Sequence, residues 1–92
     1  MTIFEEKQYD AYMDNGNRML DMAENYYEEK SLEKASKAYY HAAMNFECAK
    51  ELARAYGKCD LTINAKDKEF YCLEKIDELA TFKNTNLDDL CK

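Results

Sequence analysis

The stretch from Leu32 to Tyr56, LEKASKAYYHAAMNFECAKELARAY, constrains this chain more than any other feature. Its apolar residues return every three or four positions, at Leu32, Ala35, Tyr39, Ala42, Phe46, Ala49, Ala53 and Tyr56. That recurrence keeps one face of an α-helix apolar for about seven turns. The stretch contains neither Pro nor Gly and is rich in Ala, Lys and Glu, so intrinsic propensity agrees with the period. Large residues (Leu32, Tyr39, Phe46) alternate with small ones (Ala35, Ala42, Ala49), a pattern that lets neighbouring helices approach closely. The segment is expected to be the central helix of a small bundle.

The flanking segments supply its neighbours. Helix 1 is expected over Ile3 to Glu29, with Thr2 as N-cap and Glu5 completing a capping box. Its inner face would hold Tyr9, Tyr12, Met13, Gly16, Met19, Leu20, Ala23, Tyr26 and Tyr27. Asp14-Asn15-Gly16-Asn17 is a turn signal and could divide the helix. The apolar phase nevertheless runs unbroken from Tyr9 to Tyr26, which favours one continuous or kinked helix. Lys30-Ser31 is the next boundary, with Ser31 placed to cap helix 2, and so short a connection makes the two helices antiparallel neighbours. Gly57 is placed to terminate helix 2. A loop is expected from Lys58 to Asn64, with Leu61 and Ile63 turned inward. Helix 3 then starts from an Asn64 cap, buries Phe70, Leu73, Ile76, Leu79 and Ala80 with Tyr71 and Cys72 alongside, and ends near Lys83-Asn84. Asn86 opens a last turn, Leu87 to Cys91. The expected fold is therefore all-α: an antiparallel three-helix bundle with a short C-terminal helical turn, residues 1–92 forming a single domain.

One hairpin resembles known modules. Ala23, Tyr26, Leu32, Ala35, Tyr39 and Ala42 fall at the spacing of the tetratricopeptide-repeat consensus. The three-helix MIT domain is similar in layout, with an Ala/Tyr-rich second helix. The resemblance covers Met22 to Ala43 and implies an adaptor that binds a partner helix or peptide in an inter-helix groove. Lys30 stands where the repeat has a small turn residue, the repeat's Trp is absent, and no second copy follows. The run KAYYHAAMNFECAKELARAYG is similar to helical HEPN domains. The ribonucleases among them carry Arg-x4-6-His, and neither Arg18 nor Arg54 precedes His41 at that spacing, so the resemblance does not extend to catalysis.

Few residues invite a chemical role. His41 is the sole histidine, with Met44 and Cys48 three and seven positions on, a soft-metal pattern that reads more simply as a mixed surface stripe. No Glu-x-x-His pair, nucleophile elbow or Gly-rich phosphate loop is present. Cys48, Cys59, Cys72 and Cys91 form no C-x-x-C pair and match no zinc-finger spacing. With no basic start and apolar run over Thr2 to Gln8, they are expected as reduced thiols of a cytoplasmic protein. No cofactor, metal or catalytic residue is expected, and no run of about 18 apolar residues exists to cross a membrane.

Charge carries the sharper expectation. The net charge is −6, and it is unevenly placed. Met1 to Glu29 holds eight carboxylates against Lys7 and Arg18, whereas Lys30 to Cys59 holds six cations against Glu33, Glu47 and Glu51. This balance argues against direct nucleic-acid binding, which needs a basic footprint. Asp10, Asp14, Asp21, Glu24 and Glu28 follow one line along helix 1, expected opposite its apolar stripe. Such a rod of carboxylates suits a basic surface on another protein, including one that normally grips nucleic acid. Phage-encoded inhibitors of the anti-CRISPR kind are similar in size and acidity. Tyr27, at a seam edge, and Tyr40, off the main seam, are further candidate contacts, because tyrosine is favoured at interfaces. The expected function is an inhibitor or decoy of a nucleic-acid-handling protein, with the groove adaptor as the alternative. A homodimer, where formed, would bury helix 3 or the Tyr40 edge and leave the acidic line free.

Overall fold

Leu32–Ala55 forms one uninterrupted 24-residue helix with a neighbour on each side. The computed structural model describes residues 6–91, with side chains to residue 80, and its element order is α1 (Glu6–Glu28), α2 (Leu32–Ala55) and α3 (Cys59–Cys91). The architecture is the expected all-α antiparallel bundle of three helices. α2 packs along both α1 and α3, while the α1 and α3 backbones touch little. The alanines explain this arrangement. Ala35, Ala38, Ala42, Ala43, Ala49 and Ala53 are all buried, and side chains that stop at Cβ let both neighbours close on α2. Tyr39 and Phe46, the two large fully buried side chains of α2, fill the space between.

α1 runs straight through Asp14-Asn15-Gly16-Asn17, so the turn signal is overridden. Gly16 is buried, and a Cβ there would stand 2.5 Å from Cε1 of Phe46. The glycine permits close approach of α1 and α2 rather than a change of direction. Tyr9, Met13 and Ala23 are buried beside it, and Tyr12, Met19, Leu20 and Tyr26 are packed against the core. Tyr27, assigned to the inner face from the sequence, is instead 45% exposed. The expected Thr2–Glu5 capping pair lies outside the described residues.

Both helix junctions use the same device. At the first, Ser31 N–H donates to the Tyr26 carbonyl at 2.9 Å and Lys30 N–H to that of Tyr27 at 3.0 Å, with Lys30 at φ 65°. At the second, Lys58 N–H donates to Ala53 at 2.9 Å and Gly57 N–H to Arg54 at 3.0 Å, with Gly57 at φ 70°. Each is a Schellman closure whose left-handed residue ends the helix. Gly57 fills that position as expected. Ser31 stands at the N-cap of α2, yet its side chain makes no capping bond, because ψ of 72° holds it outside the extended conformation that capping uses.

α3 departs from the sequence expectation in three ways. It begins at Cys59, so Lys58–Asn64 is not a loop: Thr62 N–H bonds the Lys58 carbonyl at 2.9 Å and Asn64 lies inside the helix. Tertiary packing decides this, since Ala65 is fully buried and the Tyr9 hydroxyl donates to the Leu61 carbonyl at 2.9 Å. The helix also continues to Cys91 without a break near Lys83-Asn84, so the separate C-terminal turn is instead the end of a 33-residue helix. Finally, its buried positions are Ala65, Cys72 and Leu79, with Leu61 and Ile76 packed alongside. Phe70, Leu73, Tyr71, Ala80 and Ile63 are exposed. A helix drawn tightly onto an alanine face must turn its small residues inward, and Phe70 and Leu73 are left outside. At 1.5 Å per residue α3 is about 14 Å longer than α2.

Candidate partner-binding surface

Helical position fixes where the acidic line of α1 falls. With Gly16 and Ala23 at the centre of the buried face, Glu24 falls about 90°, Asp10 and Glu28 about 130°, Asp21 about 150° and Asp14 about 170° around the helix from it. The line therefore runs along the outer side of α1, with Asp14 and Asp21 nearly opposite the buried face beside Arg18 and Asn25, and with Glu24 at its inner edge. The Glu24 edge is the one turned toward α3. On this side Tyr9 reaches the Leu61 carbonyl, Lys75 of α3 lies 5.8 Å over the Tyr27 ring, and the Glu24 carboxylate acts electrostatically on Tyr39 and Cys72.

All five carboxylates are exposed, and among the described residues none is within ion-pair distance of a cation. Several cations of α2 and α3 are engaged elsewhere. Lys50 Nζ of α2 bonds Glu69 Oε1 of α3 at 2.8 Å, the tightest ion pair among the described residues, and this bond raises the Lys50 pKa. Lys75 pairs with Glu78 at 3.4 Å and also lies 5.6 Å over the Tyr71 ring. Lys68 sits 5.8 Å over Phe46, and Lys34 5.9 Å over Tyr26. Lys34, Lys68 and Lys75 are thus held over aromatic faces while the five α1 carboxylates are exposed.

The two candidate tyrosines occupy different faces. Tyr27 borders the acidic line and joins Lys30, Leu32, Glu78 and Leu79 in lining a mainly apolar surface pocket of about 460 Å³ beside the α1–α2 turn. Tyr40 is 55% exposed on the outer side of α2, edge-on to the His41 ring at 6.2 Å. α2 meets α1 along the side bearing Lys34 and α3 along the side bearing Lys50. Tyr40 lies about 120° from Lys34 and about 80° from Lys50, away from α1, so it does not join the acidic line. The pocket had no counterpart in the sequence reading, because it depends on how α3 passes the turn.

Beneath this surface the titratable groups are sealed. Burial, reinforced by Tyr71 and Glu24, pushes the Tyr39 hydroxyl up to about 12. Burial likewise pushes the Cys72 thiol up to about 11, with Lys68 opposing. Neither group is poised as a base or nucleophile near neutral pH. Cys48, Cys59 and Cys72 are free thiols. His41, Met44 and Cys48 are all exposed along α2. Among the described residues no three His, Cys, Asp or Glu side chains converge as metal ligands would, and no helix is long and apolar enough to cross a membrane. No family model, curated protein or solved structure matches the chain.

Proposed function

We propose that this protein is a non-enzymatic inhibitor or decoy that docks the acidic flank of α1 on the basic surface of a nucleic-acid-handling protein. The observation that carries the reading is the set of five exposed carboxylates along about 27 Å of α1, none of them paired within the described structure. Charges that neither fold the chain nor neutralise one another remain available to a partner. Their attraction to a basic surface sums over the whole line. In size and acidity the chain resembles phage-encoded anti-CRISPR inhibitors, a resemblance that extends to no shared motif.

The test is capture from host extract on immobilised protein at low salt, beside a variant carrying Asp14→Lys, Asp21→Lys and Glu24→Lys. The expected result is recovery of a basic nucleic-acid-binding protein by the wild type only, released by salt and by competing DNA or RNA. Equal capture by the charge-reversed variant would remove the acidic flank from consideration.

One observation favours a second reading. The apolar pocket at the Tyr27 end of the α1–α3 cleft, with Tyr71 also exposed, suits a groove adaptor of the tetratricopeptide or MIT kind holding a partner segment. Such a complex rests on apolar burial, so its affinity would change little with salt, whereas the charge-driven complex weakens steeply.

A further inference from the structure

The outer side of α3 carries a second surface, independent of the acidic flank. Ile63, Phe70 and Leu73 are 56%, 60% and 44% exposed, an unusual position for three large apolar residues on one helix. With Ala80 they fall at alternating four- and three-residue steps: 63, 66, 70, 73, 77, 80. That is the spacing of a helix–helix seam. The two remaining steps are Lys66 and Asp77, both exposed and neither in an ion pair among the described residues.

The order of these six residues is self-complementary when reversed. We propose that the outer face of α3 is a self-association surface on which a second copy of this chain packs antiparallel about a two-fold axis between positions 71 and 72. This register sets Phe70 against Leu73 of the second copy on both sides of the axis. Lys66 then meets Asp77 of the second copy, and Ile63 meets Ala80. Both unpaired charges find an opposite charge, and every apolar member finds an apolar one. A two-fold interface repeats each contact, so the single chain supplies both halves of the match.

Other arrangements fail on the same residues. Parallel pairing sets Lys66 beside Lys66 and Asp77 beside Asp77. Sliding the antiparallel register by seven residues lays Lys66 on Phe70 in one direction and Asp77 on Leu73 in the other. The favoured register does bring Asp67 near Glu74 of the second copy along one edge, a repulsion limited by their exposure. The seam spans about 26 Å, short for an obligate interface, so the dimer is reversible and concentration-dependent. The acidic line belongs to α1 and contributes no residue to this seam, so it stays open in the dimer.

The experiment is sedimentation equilibrium on the full chain from micromolar to millimolar concentration. The wild type is expected to dimerise reversibly, and Phe70→Glu to be monomeric with unchanged helicity by circular dichroism. Lys66→Glu and Asp77→Lys, each alone, are expected to weaken the dimer at least about tenfold, because each sets like charges together twice. An equimolar mixture of those two variants restores both ion pairs in the heterodimer and is expected to associate near wild-type affinity. A wild type that stays monomeric, a dimer that survives Phe70→Glu, or a mixture no tighter than its components would each overturn the proposal.

Discussion

Gly16 and Phe46 act as one unit. Phe46 has no solvent-exposed surface, and its ring lies where a Gly16 Cβ would have to stand, 2.5 Å from Cε1. Gly16→Ala would raise helix propensity by about 1 kcal/mol, yet the added methyl is expected to lower stability by about 1–3 kcal/mol through overpacking. Phe46→Ala is expected to cost about 3–5 kcal/mol by opening a cavity, whereas His41→Ala, on the exposed side of α2, should stay within about 0.5 kcal/mol. Combining Gly16→Ala with Phe46→Ala should cost less than the sum, since removing the ring removes the clash; a denaturant double-mutant cycle measures the coupling. An additive cycle, or a stabilising Gly16→Ala, would contradict this account of the close approach. Lys30 presents the reverse case. It holds a left-handed conformation at φ 65° that glycine adopts without steric penalty, so Lys30→Gly is expected to stabilise by about 0.5–1 kcal/mol in the same assay.

Among the elements, the contact between α2 and α3 carries the pH dependence. Tyr39 on α2 and Cys72 on α3 are pushed by burial up to about 12 and about 11, from ordinary values of 10.0 and 9.0. The Lys50 ammonium is held charged beyond its usual range by its bond to Glu69. All three folded-state values are raised, so the native state binds protons more tightly than the unfolded chain. Their contribution is complete below the unfolded values and is lost as pH climbs through the folded ones. The melting temperature is therefore expected to hold near neutral pH and to fall from about pH 9 upward. A midpoint that rises over that alkaline interval would reverse the assignment. The same burial predicts that Cys48 and Cys59 react readily with a thiol reagent while Cys72 reacts only on unfolding, as peptide mapping would show. Reductant should leave the melt unchanged. The legibility of each element follows from its packing. α2 could be read directly because one sequence period meets both neighbours, and α1 because its phase outlasted the Asn-Gly turn signal. α3 could not. Its largest apolar residues, Phe70 and Leu73, lie outside, and its inner face is set by how tightly Ala65 and Cys72 fit the alanines of α2. The acidic line was legible as a helix stripe on the outer side of α1, whereas the approach of its Glu24 edge to α3 depended on that same packing.

For the molecule as a whole, the net charge of −6 is the property that a partner meets first. Asp14→Lys, Asp21→Lys and Glu24→Lys together shift the charge by two units each and bring the net value from −6 to zero. None of the three is buried or in an ion pair among the described residues, so helicity and melting temperature should be nearly unchanged, or slightly raised as repulsion along α1 is relieved. Association with the basic partner captured from the host should slow at least about tenfold at low salt, with a smaller change at high salt where the field is screened. Replacing His41, Met44 and Cys48 by Ala on the outer side of α2 should leave that rate alone, because none of them belongs to the acidic flank. Stopped-flow association measured across ionic strength separates the outcomes. A triple reversal that alters neither the rate nor its salt dependence would make the five carboxylates an ordinary solvated flank. The apolar pocket beside Tyr27 would then become the leading contact surface. In that case Leu32→Asp, at the pocket wall, should abolish binding that the charge reversal spares, with circular dichroism confirming that this half-buried substitution leaves the bundle folded.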